Sequence, residues 1–146
     1  MKRLILLVGL VLSLSGIAWA QGLTAHSLDE DPALYQALRT QTASDSTQGG
    51  IVIYVWDGEC ESCNITVASL GADGVFAQMQ RDGIGLYKVN LSEDKKKPSS
   101  ASFVSTLRVA RAPTFLFFKD GKLKKRLSAS TSITPESFRA ALSLIR

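Results

Sequence analysis

Cysteine and histidine are both scarce in this 146-residue chain, with Cys60 and Cys63 the only thiols and His26 the only imidazole. A structural zinc site normally takes four ligands, so this set argues against a metal centre. Gly (11) and Pro (4) are few and form no biased tract or repeat, which argues against collagen-like, disordered and repeat architectures. A large excess of charge of one sign is missing too: the formal net charge is +4, or +2 without Lys2 and Arg3. A nucleic-acid binder would show a strongly basic face, and none is expected here. Long apolar runs are missing after residue 20, so no later segment approaches a membrane span. What remains is enough apolar sequence for one sizeable core and too little for two ordinary domains.

The exception to the missing apolar runs is the N-terminus. Lys2 and Arg3 precede an apolar stretch from Leu4, and Ala18-Trp19-Ala20 places small residues where a signal peptidase reads them. Residues 1–20 are expected to be a secretory signal peptide, leaving an exported, periplasmic or extracytoplasmic chain. An uncleaved anchor is the alternative, although 17 residues from Leu4 to Ala20, interrupted by Ser13, Ser15 and Gly16, are at the short limit for crossing a bilayer. Export would put Cys60 and Cys63 where disulfides persist. Within the chain they can pair only with each other, and a bridge across two residues constrains the unfolded state very little. That spacing suits redox chemistry better than stapling.

Local patterns give an order of elements. Residues 21–50 read as an N-terminal extension: a weak edge strand or disordered start to Leu28, a short helix capped by Asp31-Pro32 and ending near Arg39, then a polar loop to Gly49-Gly50. Residues 51–146 read as the main domain. Ile51 to Trp56 is a β-prone run suited to a strand buried on both faces. Two short helical stretches follow Cys63, broken at Gly71 to Gly74, and Leu86 to Leu91 is the next strand. Strand, helix, strand implies a right-handed crossover and parallel pairing. Ser92 to Pro98 reads as an exposed charged loop and Phe103, Val104 and Leu107 as a helix. Thr114 to Phe118 and Lys122 to Ala129 form a hairpin about Asp120-Gly121, and Thr134-Pro135 caps a last helix with Phe138, Ala141, Leu142 and Ile145 on one face. The basic runs Lys95 to Lys97 and Lys122 to Arg126 read as solvated loop and edge-strand protection, or as docking points for an acidic partner.

A Cys-x-x-Cys between a buried strand and a helix puts the first sulfur at the positive end of the helix dipole, which favours its thiolate. Cys60 is therefore the expected nucleophile and Cys63, one turn later and more buried, the resolving thiol. A purely structural disulfide in a binding module is the alternative.

The stretch Val55-Trp56-Asp57-Gly58-Glu59-Cys60-Glu61-Ser62-Cys63, followed about fifty residues later by Ala112-Pro113-Thr114-Phe115-Leu116-Phe117-Phe118-Lys119-Asp120-Gly121, resembles the thioredoxin superfamily over roughly residues 51–146. The resemblance implies a thioredoxin-like α/β fold with a central mixed sheet flanked by helices. It further implies a cis Pro113 beside the cysteine pair, with Ala112 offering backbone to an extended substrate as in strand addition. Lys88 aligns with a lysine that thioredoxins keep near the resolving cysteine, and Trp56 with their strand-end tryptophan. The implied activity is thiol-disulfide exchange on protein disulfide or dithiol substrates, with a membrane or soluble redox partner protein, no flavin, nicotinamide or other cofactor, and a monomer as the expected state.

The departures from the family are as informative. Tyr54 stands where thioredoxins carry a buried Asp that manages the resolving thiol's proton. Glu59 replaces the aromatic residue before the first cysteine and Glu61 follows it, so two carboxylates flank Cys60. Negative charge there disfavours a thiolate and opposes the helix dipole. Glu59, Glu61 and Lys88 are thus the candidates for tuning the pair, and the dithiol is expected to act as a donor of electrons.

Overall fold

Side chains alternate across a strand, so a strand that is apolar at every position needs cover on both faces. Ile51 to Trp56 is such a run, and it lies in the middle of the sheet. In the computed structural model, which describes residues 25–94, 98–129, 131 and 133–146, five strands form one mixed sheet. Residues 1–20, expected to be a signal peptide, and Lys95 to Lys97 lie outside the described residues. Strand β1 is His26–Ser27, β2 Gly50–Trp56, β3 Gly85–Asn90, β4 Thr114–Lys119 and β5 Lys122–Ser128, in the spatial order β1-β3-β2-β4-β5. β2 pairs parallel with β3, from Ile51 opposite Gly85 to Trp56 opposite Asn90, and antiparallel with β4. The parallel pair follows from the helical crossover between them. β4 and β5 close through Asp120-Gly121, whose φ angles of 49° and 78° are those of a primed hairpin turn. A Cβ on Gly121 would sit 2.3 Å from the Thr42 carbonyl oxygen, so both backbone angle and space require glycine here.

The helices are α1 (Pro32–Thr40), α2 (Glu61–Ala72), α3 (Val75–Arg81), α4 (Leu91–Asp94), α5 (Pro98–Thr106) and α6 (Pro135–Ser143). They divide between the two faces as the strand alternation dictates. Ile51, Ile53, Val55, Val89, Leu116 and Phe118 pack against Leu28, α1 and α5. Val52, Leu86, Phe115, Phe117 and Leu127 pack against α2, α3 and α6. Leu34 and Leu38 of α1 are fully buried in the first cluster, so the segment ahead of residue 51 covers one face of the sheet. Among the described residues no helix is long and apolar enough to cross a membrane.

Two elements differ from the sequence reading. Leu91 is not the last residue of β3; it is buried and opens the single-turn α4, placing a helical turn at the start of the stretch read as loop. Tyr54 and Trp56 are only half-buried, so the far end of β2 is less enclosed than its apolar start. Local capping chemistry behaves as read: the Asp31 carboxylate accepts from the Leu34 N–H at 2.9 Å, and Thr134 and Ser137 cap α6 reciprocally. Asp31→Ala is expected to cost about 1 kcal/mol, measured as a shift of the urea midpoint with an unchanged slope.

Candidate redox site

β2 ends at Trp56 and the chain turns through Asp57-Gly58-Glu59, with the Cys60 N–H donating to the Asp57 carbonyl at 3.2 Å. The turn delivers Cys60 to the N-cap of α2, in extended backbone geometry. Its sulfur accepts from the Cys63 N–H at 3.1 Å, which occupies one of the unpaired donors at the helix start. The Ser62 hydroxyl lies 3.3 Å from the same sulfur. Cys60 and Cys63 form a disulfide, with an S–S length of 2.06 Å and Cα atoms 5.2 Å apart. The two sulfurs are unequal: Cys63 is fully buried in the first turn of α2, whereas Cys60 is half-exposed at its tip.

A loop distant in sequence borders the same site. The Ala112-Pro113 peptide is cis and Pro113 is buried ahead of β4. The buried Thr114 hydroxyl donates to the Arg111 carbonyl at 2.6 Å, and the Pro113 carbonyl accepts from the Ala129 N–H at 3.1 Å, so both sides of the proline are tied down. Together with the turn at Cys60 this loop borders an open groove of about 390 Å³, lined by Asp57, Glu59, Cys60, Leu91, Ala110, Arg111 and Ala112. The Asp57 carboxylate accepts a hydrogen bond from the Ser92 hydroxyl, while Ser92 itself is anchored through its N–H to the Asn90 side chain at 3.0 Å.

The structure therefore brings together Cys60, Glu59 and Ala112 at the groove, with Cys63 bonded to Cys60 and the buried Pro113 next after Ala112 in the chain. Glu61 is exposed on the first turn of α2, outside the groove lining. Trp56 is half-buried at the end of β2 and opposite Asn90, and it does not line the groove either. Lys88 is exposed on β3, with Tyr54 as its neighbour on β2 and Ser27 on β1. Asp57, Ser92, Ala110 and Arg111 belong to the site without having been singled out from the sequence. Arg111 and Ala110 could have been found by extending the second motif toward the N-terminus; Ser92 had no local signal.

Tyr54 is the position at which a proton acceptor would be sought. Its ring stacks on Phe115, with centroids 4.8 Å apart and planes 15° apart, and burial pushes its phenol from 10.0 up to about 12. The Tyr87 phenol is also raised, by burial first and by the Asp31 carboxylate second. Tyr54 is thus a neutral hydroxyl at physiological pH, able to donate but not to take a proton as a carboxylate does. Because its folded value is raised, the stability it contributes is full below pH 10 and is lost as pH rises through about 12. In alkaline absorbance titrations of the wild type minus Tyr54→Phe, the difference curve is expected to be centred near 12; a midpoint near 10 would mean an exposed ring.

No protein-family model matches the sequence, and no curated protein matches it. Solved structures do. Thioredoxin O2 from Arabidopsis thaliana, in its oxidised state, is 16% identical with a TM-score of 0.52, the match covering 89% of this chain and 97% of that one. A Fasciola hepatica thioredoxin is 21% identical over 70% of this chain and 86% of its own, with a TM-score of 0.51. A protein of Edwardsiella tarda designated Trxlp is 18% identical over 86% of this chain and 100% of its own, also with a TM-score of 0.51. At such identities the likeness is one of fold alone, which in this chain is five strands in a mixed sheet with helices on both faces. This chain has the thioredoxin fold.

Proposed function

We propose that this chain is an exported thiol-disulfide oxidoreductase that reduces protein disulfides through the Cys60/Cys63 dithiol. The observation that carries the reading is the inequality of the two sulfurs: Cys60 is half-exposed and lines the open groove, whereas Cys63 is fully buried. In the reduced chain the Cys60 thiolate attacks a substrate disulfide, forming a mixed disulfide and releasing one substrate thiol. Cys63 then gives up its proton and attacks the Cys60 sulfur, releasing the second thiol. Two electrons and two protons pass to the substrate, and the Cys60-Cys63 bond is left behind. The buried position of Cys63 suits a thiol that reacts only with its neighbour.

The direction of electron flow rests on the charges around Cys60. The N-terminus of α2 and the Cys63 N–H favour negative charge on the Cys60 sulfur. Glu59 and Glu61, exposed on either side, oppose it. A reduced form without strong thiolate stabilisation is the better electron donor. In graded dithiol buffers with thiol trapping and mass spectrometry, the pair is expected to equilibrate in the thioredoxin range, roughly −270 mV. A value near roughly −120 mV would make the protein an oxidant and the account of the two glutamates wrong. The electrons are supplied by a dithiol protein, membrane-bound or soluble. Insulin reduction by the purified chain tests the activity itself: inactivity in both the wild type and Cys60→Ser would instead favour a binding module with a structural disulfide. Export is tested by cell fractionation and by the mass of the N-terminus, expected to begin at Gln21.

A further inference from the structure

The groove lining carries charge of both signs. Asp57 and Glu59 come from the turn that leads into Cys60, and Arg111 from the segment just ahead of the Ala112-Pro113 peptide. Asp57 is half-buried and its carboxylate is held by the Ser92 hydroxyl, so this charge is fixed at the rim by a hydrogen bond from the β3–α4 junction. Glu59 is exposed one residue before the sulfur, and Glu61 adds a third carboxylate one residue after it. An incoming disulfide must bring its sulfur to Cys60, and hence its own flanking groups into the field of these acids.

We propose that this rim selects disulfides flanked by positive charge, that is, a polypeptide cystine with a lysine or arginine beside the attacked sulfur. The inference rests on the redox reading above and specifies its substrate class. Arg111, the one cation among the described residues of the same lining, acts as the counterweight and moderates the preference. At an exposed site a single favourable charge pair amounts to about threefold in encounter, and salt screens it within about 10 Å.

Three small probes isolate charge from polypeptide shape: cystamine as the dication, bis(2-hydroxyethyl) disulfide as the neutral compound and 3,3′-dithiodipropionate as the dianion. The reduced, purified chain is mixed with each, and its rate of oxidation is divided by that of dithiothreitol with the same probe, which removes differences in leaving thiol. Each reaction converts one dithiol and one disulfide into the Cys60-Cys63 bond and two probe thiols. The normalised ratio of cystamine to the dianion is expected to be about tenfold and to collapse toward unity in high salt. Glu59→Gln is expected to lower the ratio about threefold and Arg111→Gln to raise it by a similar factor. A ratio at or below unity, or one indifferent to both substitutions, overturns the inference and leaves the redox reading standing. No oxidation by any of the three probes, with dithiothreitol reacting normally, overturns the redox reading and the inference with it.

Discussion

Cys63→Ser, reduced and mixed with a disulfide-bonded substrate, is expected to accumulate a covalent adduct through Cys60, whereas Cys60→Ser accumulates none. The expectation follows from the exposure of the two sulfurs. Cys60 is half-exposed at the groove and Cys63 has no accessible surface, so the first attack belongs to Cys60 and only an intramolecular step is open to Cys63. Serine at 63 preserves the size of the side chain but cannot displace sulfur from the mixed disulfide, so the intermediate persists until an external thiol cleaves it. Turnover in insulin reduction is expected to fall in both variants by on the order of a hundredfold or more, because each step is indispensable and the losses are not additive. Non-reducing electrophoresis and intact mass distinguish the two. An adduct in Cys60→Ser would reverse the assignment of roles. Loss of activity without an adduct in Cys63→Ser would mean that Cys60 does not meet the substrate at all.

The parts of this molecule that were legible in the sequence are those set by short-range chemistry. Asp31-Pro32 and Thr134-Pro135 mark helix starts because a capping side chain satisfies donors only three residues away. Asp120-Gly121 marks the hairpin because positive φ is demanded at both positions. The cysteine pair announced itself for the same reason, since its spacing places both residues within the first turn of one helix. Features that depend on distant segments were harder. β1 has two residues and exists only by pairing with β3, about sixty residues further on. Leu91 fits a strand or a helix equally by its own character, and in the structure it is buried at the start of α4 and lines the groove. Ser92 reaches Asp57 from α4 with no local signal near it, and Arg111, next to the second motif, enters the groove lining only through the fold. Tyr54 was noted as a departure, but its stacking on Phe115 and its alkaline shift come from the neighbouring strand.

That stack links the site to the far side of the core and sets the largest stability effect expected. Phe138 of α6 is fully buried, edge-on to Phe115 and Phe117 with centroids 5.0 Å away in both cases, and it meets Phe76 of α3 at 6.5 Å. Phe138→Ala removes a ring that touches a helix and a strand at once, and a close-packed interior cannot fill the space without moving one of them. The expected loss is about 3 to 5 kcal/mol, a large part of the roughly 5 to 15 kcal/mol that a domain possesses. In urea the midpoint should fall by about 2 M. Leu144→Ala, one position past the same helix and exposed, should change stability by no more than about 0.5 kcal/mol. Where Phe138→Ala still folds, Phe115 loses the edge contact on one face and Tyr54 depends on the other. Solvent then reaches the Tyr54 ring, and its titration midpoint should move from about 12 toward 10.0. A Phe138→Ala protein that loses under about 1 kcal/mol, or one that is destabilised while the Tyr54 midpoint stays near 12, would show that the three rings are not packed as one unit.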